Sequence, residues 1–453
     1  MKVVLVNPVT KDGKKVLRVE RCQQKMFSPV GIWPPVSLLE IATSLRSVGA
    51  KNVNIIDGEV EGLSFESLAS KVKEEEADLV VMSTTTPTIN DDLLFADLIK
   101  DKTKNISIAF TGMHATVFPG RLLKEDSVDY ALMGEPEETA SELLSYLSGK
   151  KGSIDDIKGL GHKKGRDIVI NKKRPARDGY DYPAMPPRSL LKNEKYVLPL
   201  TNEVFTVIKV SRGCNFTCSF CTSRVYYGKG WRARSPENIV KEIESTKRNH
   251  GINTFLFLSD TFNGERAFVR KFLSLIIEKN LNIRWVSNSR LDLVDEEVVD
   301  LMKRSGCVLV SLGIESYDDG ILEKSGKCLK SERIDKGIEL FKKYDIKTYG
   351  YFIFGLEGET KRSMLKTAMR ARKSPLDFAV FYSLTPYPGT GYFEKYGTES
   401  WEEYFHGTSN IVEREGLSKF SIKLFRYLAT FLFYTTPKRI VTIIGYFVKG
   451  KLL

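Results

Sequence analysis

The stretch Ser211-Arg212-Gly213-Cys214-Asn215-Phe216-Thr217-Cys218-Ser219-Phe220-Cys221 decides how the rest of the chain is read. Its three thiols, Cys214, Cys218 and Cys221, stand at the spacing C-x3-C-x2-C, with the aromatic Phe220 just before the last. Immediately upstream, Val204-Phe205-Thr206-Val207-Ile208-Lys209-Val210 is rich in β-branched and aromatic residues and reads as a strand. The cysteines then fall on a loop at that strand's C-terminal end, where α/β folds place their ligands. Three thiolates this close can converge on one inorganic cluster, and iron–sulfur clusters are held by cysteine thiolates. A closed structural metal site wants four protein ligands. Three leave one metal position open, which is where chemistry happens. The alternatives at this point are a zinc loop completed by a distant residue, or three unlinked thiols.

Outward from this loop, residues 201–395 alternate strand and helix. Ser235-Pro236-Glu237 opens a helix running to Arg248, with serine as N-cap and proline at the first position. Strands are expected at Thr254–Leu258, Ile283–Ser287, Val308–Leu312, Lys347–Phe354 and Phe378–Ser383. With the first strand these make six βα units, a run that implies a parallel barrel with its functional groups at the strand C-ends. Polar residues gather there: Ser259-Asp260, Asn288-Ser289-Arg290, Gly313-Ile314-Glu315-Ser316 and Gly355-Leu356-Glu357-Gly358-Glu359.

The cysteine loop resembles the cluster loop of radical S-adenosylmethionine (SAM) enzymes. The resemblance implies a [4Fe-4S] cluster on Cys214, Cys218 and Cys221, with Phe220 at the family's aromatic position. It implies that SAM chelates the open iron through its amino and carboxylate groups. One electron from the cluster would then cleave SAM to a 5′-deoxyadenosyl radical, which takes a hydrogen atom from an unreactive C–H bond. The expected barrel is likewise similar to the six-unit partial barrel of that family. SAM needs a cation for its carboxylate and acceptors for its ammonium and ribose diol. By resemblance, Asp260 serves the ammonium, Arg290 the carboxylate, and Asn288 and Glu315 the ribose; the plainer alternative for Glu315 is an ion pair with a barrel arginine. Thr385-Pro386-Tyr387-Pro388-Gly389-Thr390 ends the sixth strand with a turn also seen in the family.

Residues 1–150 alternate in the same way, with strands expected at 2–7, 53–57, 77–82, 106–111 and 129–133. A parallel sheet covered on both faces follows, and a doubly wound, flavodoxin-like domain is the leading choice. Its strand-end loops carry small polar residues: Ser83-Thr84-Thr85-Thr86, Thr111-Gly112-Met113-His114-Ala115-Thr116 and Gly134-Glu135. These allow close approach by a large cofactor, or are ordinary turns. The layout is similar to the cobalamin-binding domain preceding many radical SAM cores, including Gly-x-His-Ala-Thr after the fourth strand and Gly-Glu after the fifth. The resemblance implies cobalamin against Ser83, Thr84, Gly112 and Gly134. His114 is a corrin contact or a structural hydrogen-bonder. One departure stands out. The D-x-H-x-x-G motif, whose histidine ligates cobalt in methionine synthase-type domains, is replaced after the first strand by Asn7-Pro8-Val9-Thr10-Lys11-Asp12. Asp57-Gly58-Glu59-Val60-Glu61-Gly62 mimics it without the histidine, after the second strand. The cobalt would lack that lower ligand, or the domain is degenerate and holds no cofactor.

Residues 151–200 form a connector with a hairpin turn at Lys163-Lys164-Gly165-Arg166-Asp167. Residues 396–453 form a tail. The chain of 453 residues carries a net charge of +12. Between Gly416 and Leu453 there is no Asp or Glu, while Lys419, Lys423, Arg426, Lys438, Arg439, Lys449 and Lys451 supply more than half of that excess. Ile422–Tyr434 and Ile440–Val448, separated by Pro437, read as two short apolar helices with basic flanks. They suit a membrane interface, or cap the barrel. Six cysteines without a disulfide framework imply a reducing compartment, and Cys307, leading Val308-Leu309-Val310, is expected in the core. The first residues are too short an apolar run for a signal peptide, and no stretch approaches the ~20 apolar residues that span a bilayer.

The chain therefore reads as a cytoplasmic enzyme, or one held peripherally at the inner face of the cell membrane. It resembles the cobalamin-type radical SAM methylases and the anaerobic cyclase, acting on an unactivated carbon of a lipid, tetrapyrrole or other small molecule. The implied partner is an electron donor such as ferredoxin or flavodoxin; no nucleic acid is expected. A tRNA-modifying methylthiotransferase is the alternative enzyme, but such proteins hold a second cluster on three N-terminal cysteines and only Cys22 is available there. A non-catalytic iron–sulfur or corrinoid-binding protein is the alternative outside catalysis.

Overall fold

The structure, a computed structural model, describes residues 1–19, 22–25, 31–150, 152–177, 179–198, 202–409, 411–437 and 439–441. It divides into two compact units. The first comprises Met1–Tyr196 with Val225–Gly228 and Glu399–Glu402; the second comprises Val197–Arg224, Lys229–Thr398 and Glu403–Leu453.

The first unit is built on a seven-stranded sheet. Its strands are β1 (Lys2–Asn7), β2 (Asn52–Asp57), β3 (Leu79–Thr84), β4 (Ser107–Gly112), β5 (Tyr130–Leu132), β6 (Leu160–Lys164) and β7 (Asp167–Ile170). They lie in the order β2-β1-β3-β4-β5-β6-β7. The first five are parallel, the order of a flavodoxin-like doubly wound domain. The connector's hairpin supplies β6 and β7, which extend the edge antiparallel. Continuous apolar runs such as Val3–Val6 and Leu79–Met82 are fully buried, as a sheet covered on both faces requires. Ser83, Thr84 and Gly112, expected in loops, still pair in the ladder, Ser83 with Thr111 and Thr84 with Gly112. The Met113–Val117 stretch is a short helix.

The second unit carries six parallel strands in simple sequence order: β8 (Phe205–Lys209), β9 (Thr254–Leu258), β10 (Arg284–Ser289), β11 (Cys307–Glu315), β12 (Lys347–Phe354) and β13 (Phe378–Ser383). No closing pair joins β8 to β13 among the described residues, so this is the expected partial barrel. The helix Pro236–His250 is capped as expected, Ser235 accepting from the Asn238 N–H. Burial alternates strictly along β10 and β12. The outward set, Trp285, Phe352, Phe354 and Phe381 among them, packs under the helices, and Cys307 is buried with it. The inward set is half-exposed and lines an open concavity.

The helix Lys419–Tyr434 packs on this barrel, burying Ile422, Ala429 and Phe433. The Tyr434 hydroxyl both donates to and accepts from the Ala379 backbone, at 2.8 and 3.1 Å. The tail is thus a barrel cap over this helix; the expected second helix lies outside the described residues beyond Val441. Among the described residues no helix is long and apolar enough to cross a membrane.

Candidate active site

After β8 the chain forms a short ribbon, Ser211–Cys214 pairing antiparallel with Gly230–Ala233, which carries the cysteine loop at the C-terminal rim of the barrel. Asp260 joins the two ends of this loop. One carboxylate oxygen accepts from the Gly213 N–H at 2.8 Å and from the Ser223 hydroxyl at 2.9 Å. Asn288 donates to the Asp260 carbonyl at 3.0 Å. The Cys214 sulfur lies 3.2 Å from the Thr261 hydroxyl. On the far side, Ser219 N–H donates to the Ser325 carbonyl at 3.0 Å, and the Cys218 sulfur is 3.7 Å from the Gly326 carbonyl. All three cysteines are half-buried. Phe220 packs its half-buried ring on the barrel core.

Arg290 is the cation of this rim. Its guanidinium pairs with Asp292 at 2.9 and 3.0 Å, donates to the Lys327 carbonyl at 2.5 Å and comes within 3.9 Å of the Cys218 sulfur. Its flat face lies 3.5 Å from the Phe216 ring centre. Asn263 fixes its backbone from both sides. Glu315 pairs with Lys327 at 2.9 Å, not with an arginine, and both side chains are buried. A break in register between Gly313 and Glu315 and a φ of 67° at Glu315 turn its carboxylate toward that lysine. Gly313 leaves the room, since a Cβ there would lie 2.7 Å from the carboxylate and 2.9 Å from the ammonium. Burial pushes the Cys218 thiol up to about 11, with Lys327 and Arg290 pulling the other way.

The four rim residues assigned from sequence are thus together, but Asp260 and Arg290 already brace the cysteine loop. Lys327, Asp292, Asn263 and Phe216 escaped sequence reading; Phe216, within the loop itself, offered the one local signal. Three half-buried thiols backed by two cations fit a cluster that is anionic when bound by thiolates.

The strand ends of the first unit are differently made. A hairpin, Val16–Val19 with Cys22–Lys25, follows β1. Its Arg18 is wholly enclosed and pairs with the equally enclosed Asp92 at 2.8 Å. Arg18 also donates to the Ser83 carbonyl at 3.3 Å, and Thr84 donates to Asp92 at 2.6 Å. Nearby, burial pushes Glu59 up to about 7, against the pull of Arg18. Gly112 has a φ of 117°, and a Cβ there would run into the Thr84 carbonyl, so its glycine answers to the neighbouring strand. Gly134 N–H donates to Thr116 at 2.9 Å. His114 is buried, its ring 5.0 Å from Phe118 and 5.3 Å from Trp401. Burial, reinforced by the Arg121 charge, pushes its pKa down to about 3. His114 Nδ1 and Thr111 Oγ1 have no hydrogen-bond partner. Two orphaned polar atoms at the end of β4 fit a cofactor rimmed with amides.

The radical SAM superfamily model matches residues 208–371 and the B12 binding domain model residues 26–144. An uncharacterized methyltransferase of Pyrococcus horikoshii is 32% identical over 395 residues, 87% of this chain and 83% of that protein. The anaerobic magnesium-protoporphyrin IX monomethyl ester cyclase of Rubrivivax gelatinosus is 27% identical over 373 residues, 81% of this chain and 67% of that one. The radical SAM methyltransferase TsrM from Kitasatospora setae, solved with tryptophan substrate and a SAM analogue, shares the fold with a TM-score of 0.70 at 20% identity, covering 86% of this chain and 75% of its own. The cofactors are a [4Fe-4S] cluster, SAM and cobalamin. With both matched domains and a relative of this similarity along most of its length, the chain belongs to the radical SAM superfamily, in its group of cobalamin-dependent methyltransferases and anaerobic cyclases.

Proposed function

We propose that Cys214, Cys218 and Cys221 hold the cluster and that the enzyme methylates an unactivated carbon of a small molecule. The carrying observation is the cysteine loop itself: Asp260 joins its two ends, Ser325 and Gly326 brace its middle, and its three thiols are half-buried. The bound cofactors would supply radical generation at the cluster and a methyl carrier in cobalamin. This chain's part is to position and to shield. Arg290 and Lys327 set the charge beside Cys218, Asn288 and Glu315 would serve the ribose, and the orphaned His114 and Thr111 atoms would serve a corrin amide. The cyclase relative's magnesium-protoporphyrin substrate supports a tetrapyrrole or similarly sized molecule; an electron donor of the ferredoxin or flavodoxin type completes the scheme. Anaerobically reconstituted protein should hold about four irons per chain. Cys218→Ala should lose the iron and all 5′-deoxyadenosine formation while keeping its circular dichroism; a variant that still makes 5′-deoxyadenosine with dithionite would sink the assignment.

A peripheral membrane contact through the Lys419–Tyr434 helix belongs to the same proposal. While one face caps the barrel, the other presents Phe420, Leu424, Tyr427 and Phe431, exposed to 73, 51, 57 and 64%. Lys419 and Lys423 flank this stripe, an arrangement suited to an anionic lipid surface. Full-length protein should sediment with anionic liposomes at low salt, and Leu424→Ser/Phe431→Ser should stay in the supernatant. Equal sedimentation of the two would remove this contact.

A further inference from the structure

The concave face of the barrel has two unlike halves. The inward residues of β9 to β11 include no aromatic ring: Leu256, Leu258, Val286 and Leu309 are aliphatic, and Asn288 and Ser311 are polar. Those of β12 and β13 include, beside Ile353 and Val380, the rings of Tyr349, Tyr351 and Tyr382, all half-buried, against fully buried outward neighbours. Tyr351 and Tyr382 stack at 5.9 Å with planes 15° apart. The faces of this pair are taken: Tyr349 meets Tyr351 edge-on at 5.1 Å, and His406 meets Tyr382 edge-on at 4.6 Å. Gly407 lies so close that a Cβ would run into the Tyr382 ring. His406 is itself fixed by a 2.6 Å hydrogen bond to the Tyr387 hydroxyl. What this wall offers the concavity is therefore ring edges and the hydroxyls of Tyr349 and Tyr382, that of Tyr351 being donated to Ser311 at 3.4 Å.

Aromatic edges carry the positive lobe of the ring quadrupole and prefer the negative face of another π system. An aliphatic chain gains nothing from that match. Burial, and then the neighbouring tyrosines, push Tyr349 and Tyr382 well above the ordinary phenol range, so both remain hydrogen-bond donors. Resting on the reading of this barrel as the catalytic one, we infer that Tyr349, Tyr351 and Tyr382 form the substrate wall, and that it selects a flat conjugated ring bearing oxygen acceptors such as carboxylates.

The test uses the reconstituted full chain with three probes: coproporphyrin and indole-3-acetate as flat acids, and decanoate as an aliphatic acid. The flat acids should bind at least tenfold more tightly than decanoate. Tyr382→Leu should erase that preference, while Tyr382→Phe and Tyr349→Phe, which keep the rings, should each weaken the flat acids by about threefold to tenfold, the worth of one hydrogen bond. Equal binding of decanoate, or a preference that survives Tyr382→Leu, overturns the inference. Should Tyr382→Leu fail to retain iron, the two phenylalanine variants decide, and unchanged affinity in both overturns it. Iron content and 5′-deoxyadenosine formation are read in parallel. Their loss in wild type would strike the cluster assignment, whereas their persistence without ring preference strikes the wall alone.

Discussion

The two parallel sheets put their strand C-ends to opposite uses. At the first, charge is consumed internally: Arg18 and Asp92 are enclosed together, and Asp57 is satisfied by Asn7 and Tyr196, both at 2.8 Å. At the second, charge is gathered around an open rim, where Cys214, Cys218, Cys221, Asp260 and Asn288 keep partial exposure. The difference teaches that topology fixes where a ligand is offered, while the pairing of polar groups fixes what kind. A site whose charges face one another still leaves neutral, orphaned atoms such as His114 Nδ1 and Thr111 Oγ1 for an amide-rimmed cofactor. A rim with half-buried thiols backed by the paired cations Arg290 and Lys327 suits an anionic cluster and a zwitterion.

This contrast can be broken by unpairing each site. Removing one partner of an enclosed pair strands the other charge, at a cost of about 3–5 kcal/mol. Asp92→Ala should lose that much in denaturant titration, and Arg18→Met/Asp92→Leu should regain most of it. Lys327→Met, at the rim, strands the buried Glu315 in the same way, at a similar cost, and should show in addition what Asp92→Ala does not, poorer iron retention. Iron retention unchanged in Lys327→Met, or lost equally in Asp92→Ala, would erase the distinction. The enclosed side can also be tested by pH. Burial pushes the His114 pKa down to about 3, against an ordinary value of 6.5. Its neutral form is favoured by folding, so this stability is complete above 6.5 and is lost as pH falls toward 3, by about 1.4 kcal/mol per unit. His114→Phe should flatten that part of the melting-temperature profile; an unchanged acid slope would count against a buried neutral ring. The smallest effect concerns the outer face of the C-terminal helix. Phe431→Ser should change stability by no more than about 0.5 kcal/mol, and a larger loss would mean that face is covered.

Much of this architecture is legible locally. The C-x3-C-x2-C spacing, the serine–proline cap at 235–236 and the alternating inward and outward residues of β12 all state their structure within a few positions. Other features depend on contacts far apart in sequence. Lys327 follows an ordinary helix and stands among many lysines; only the bulge at Gly313–Glu315 reveals its partner. The hairpin bearing Arg18 follows the Asn7–Asp12 stretch that stands in place of a cobalt-ligand motif, and nothing in Val-Leu-Arg-Val declares that its arginine meets Asp92 across 74 positions. Ser83 and Thr84 looked like loop because small polar residues are turn formers, yet neighbouring strands extend the ladder through them. The tail's two readings, cap and interface, turned on faces that periodicity can separate but cannot aim.

The bracing of Cys218 and Ser219 by Gly326 and Ser325 spans more than a hundred residues of chain. During synthesis the cysteine motif leaves the ribosome well before the segment that shapes it, at roughly 5–20 residues per second. For several seconds the three thiols exist without their mould, open to oxidation or to a stray metal. Assembly machinery that delivers iron and sulfide is therefore best matched to the chain after its fourth βα unit has closed, and expression that outruns that step should yield well-folded protein with empty or mismetallated sites.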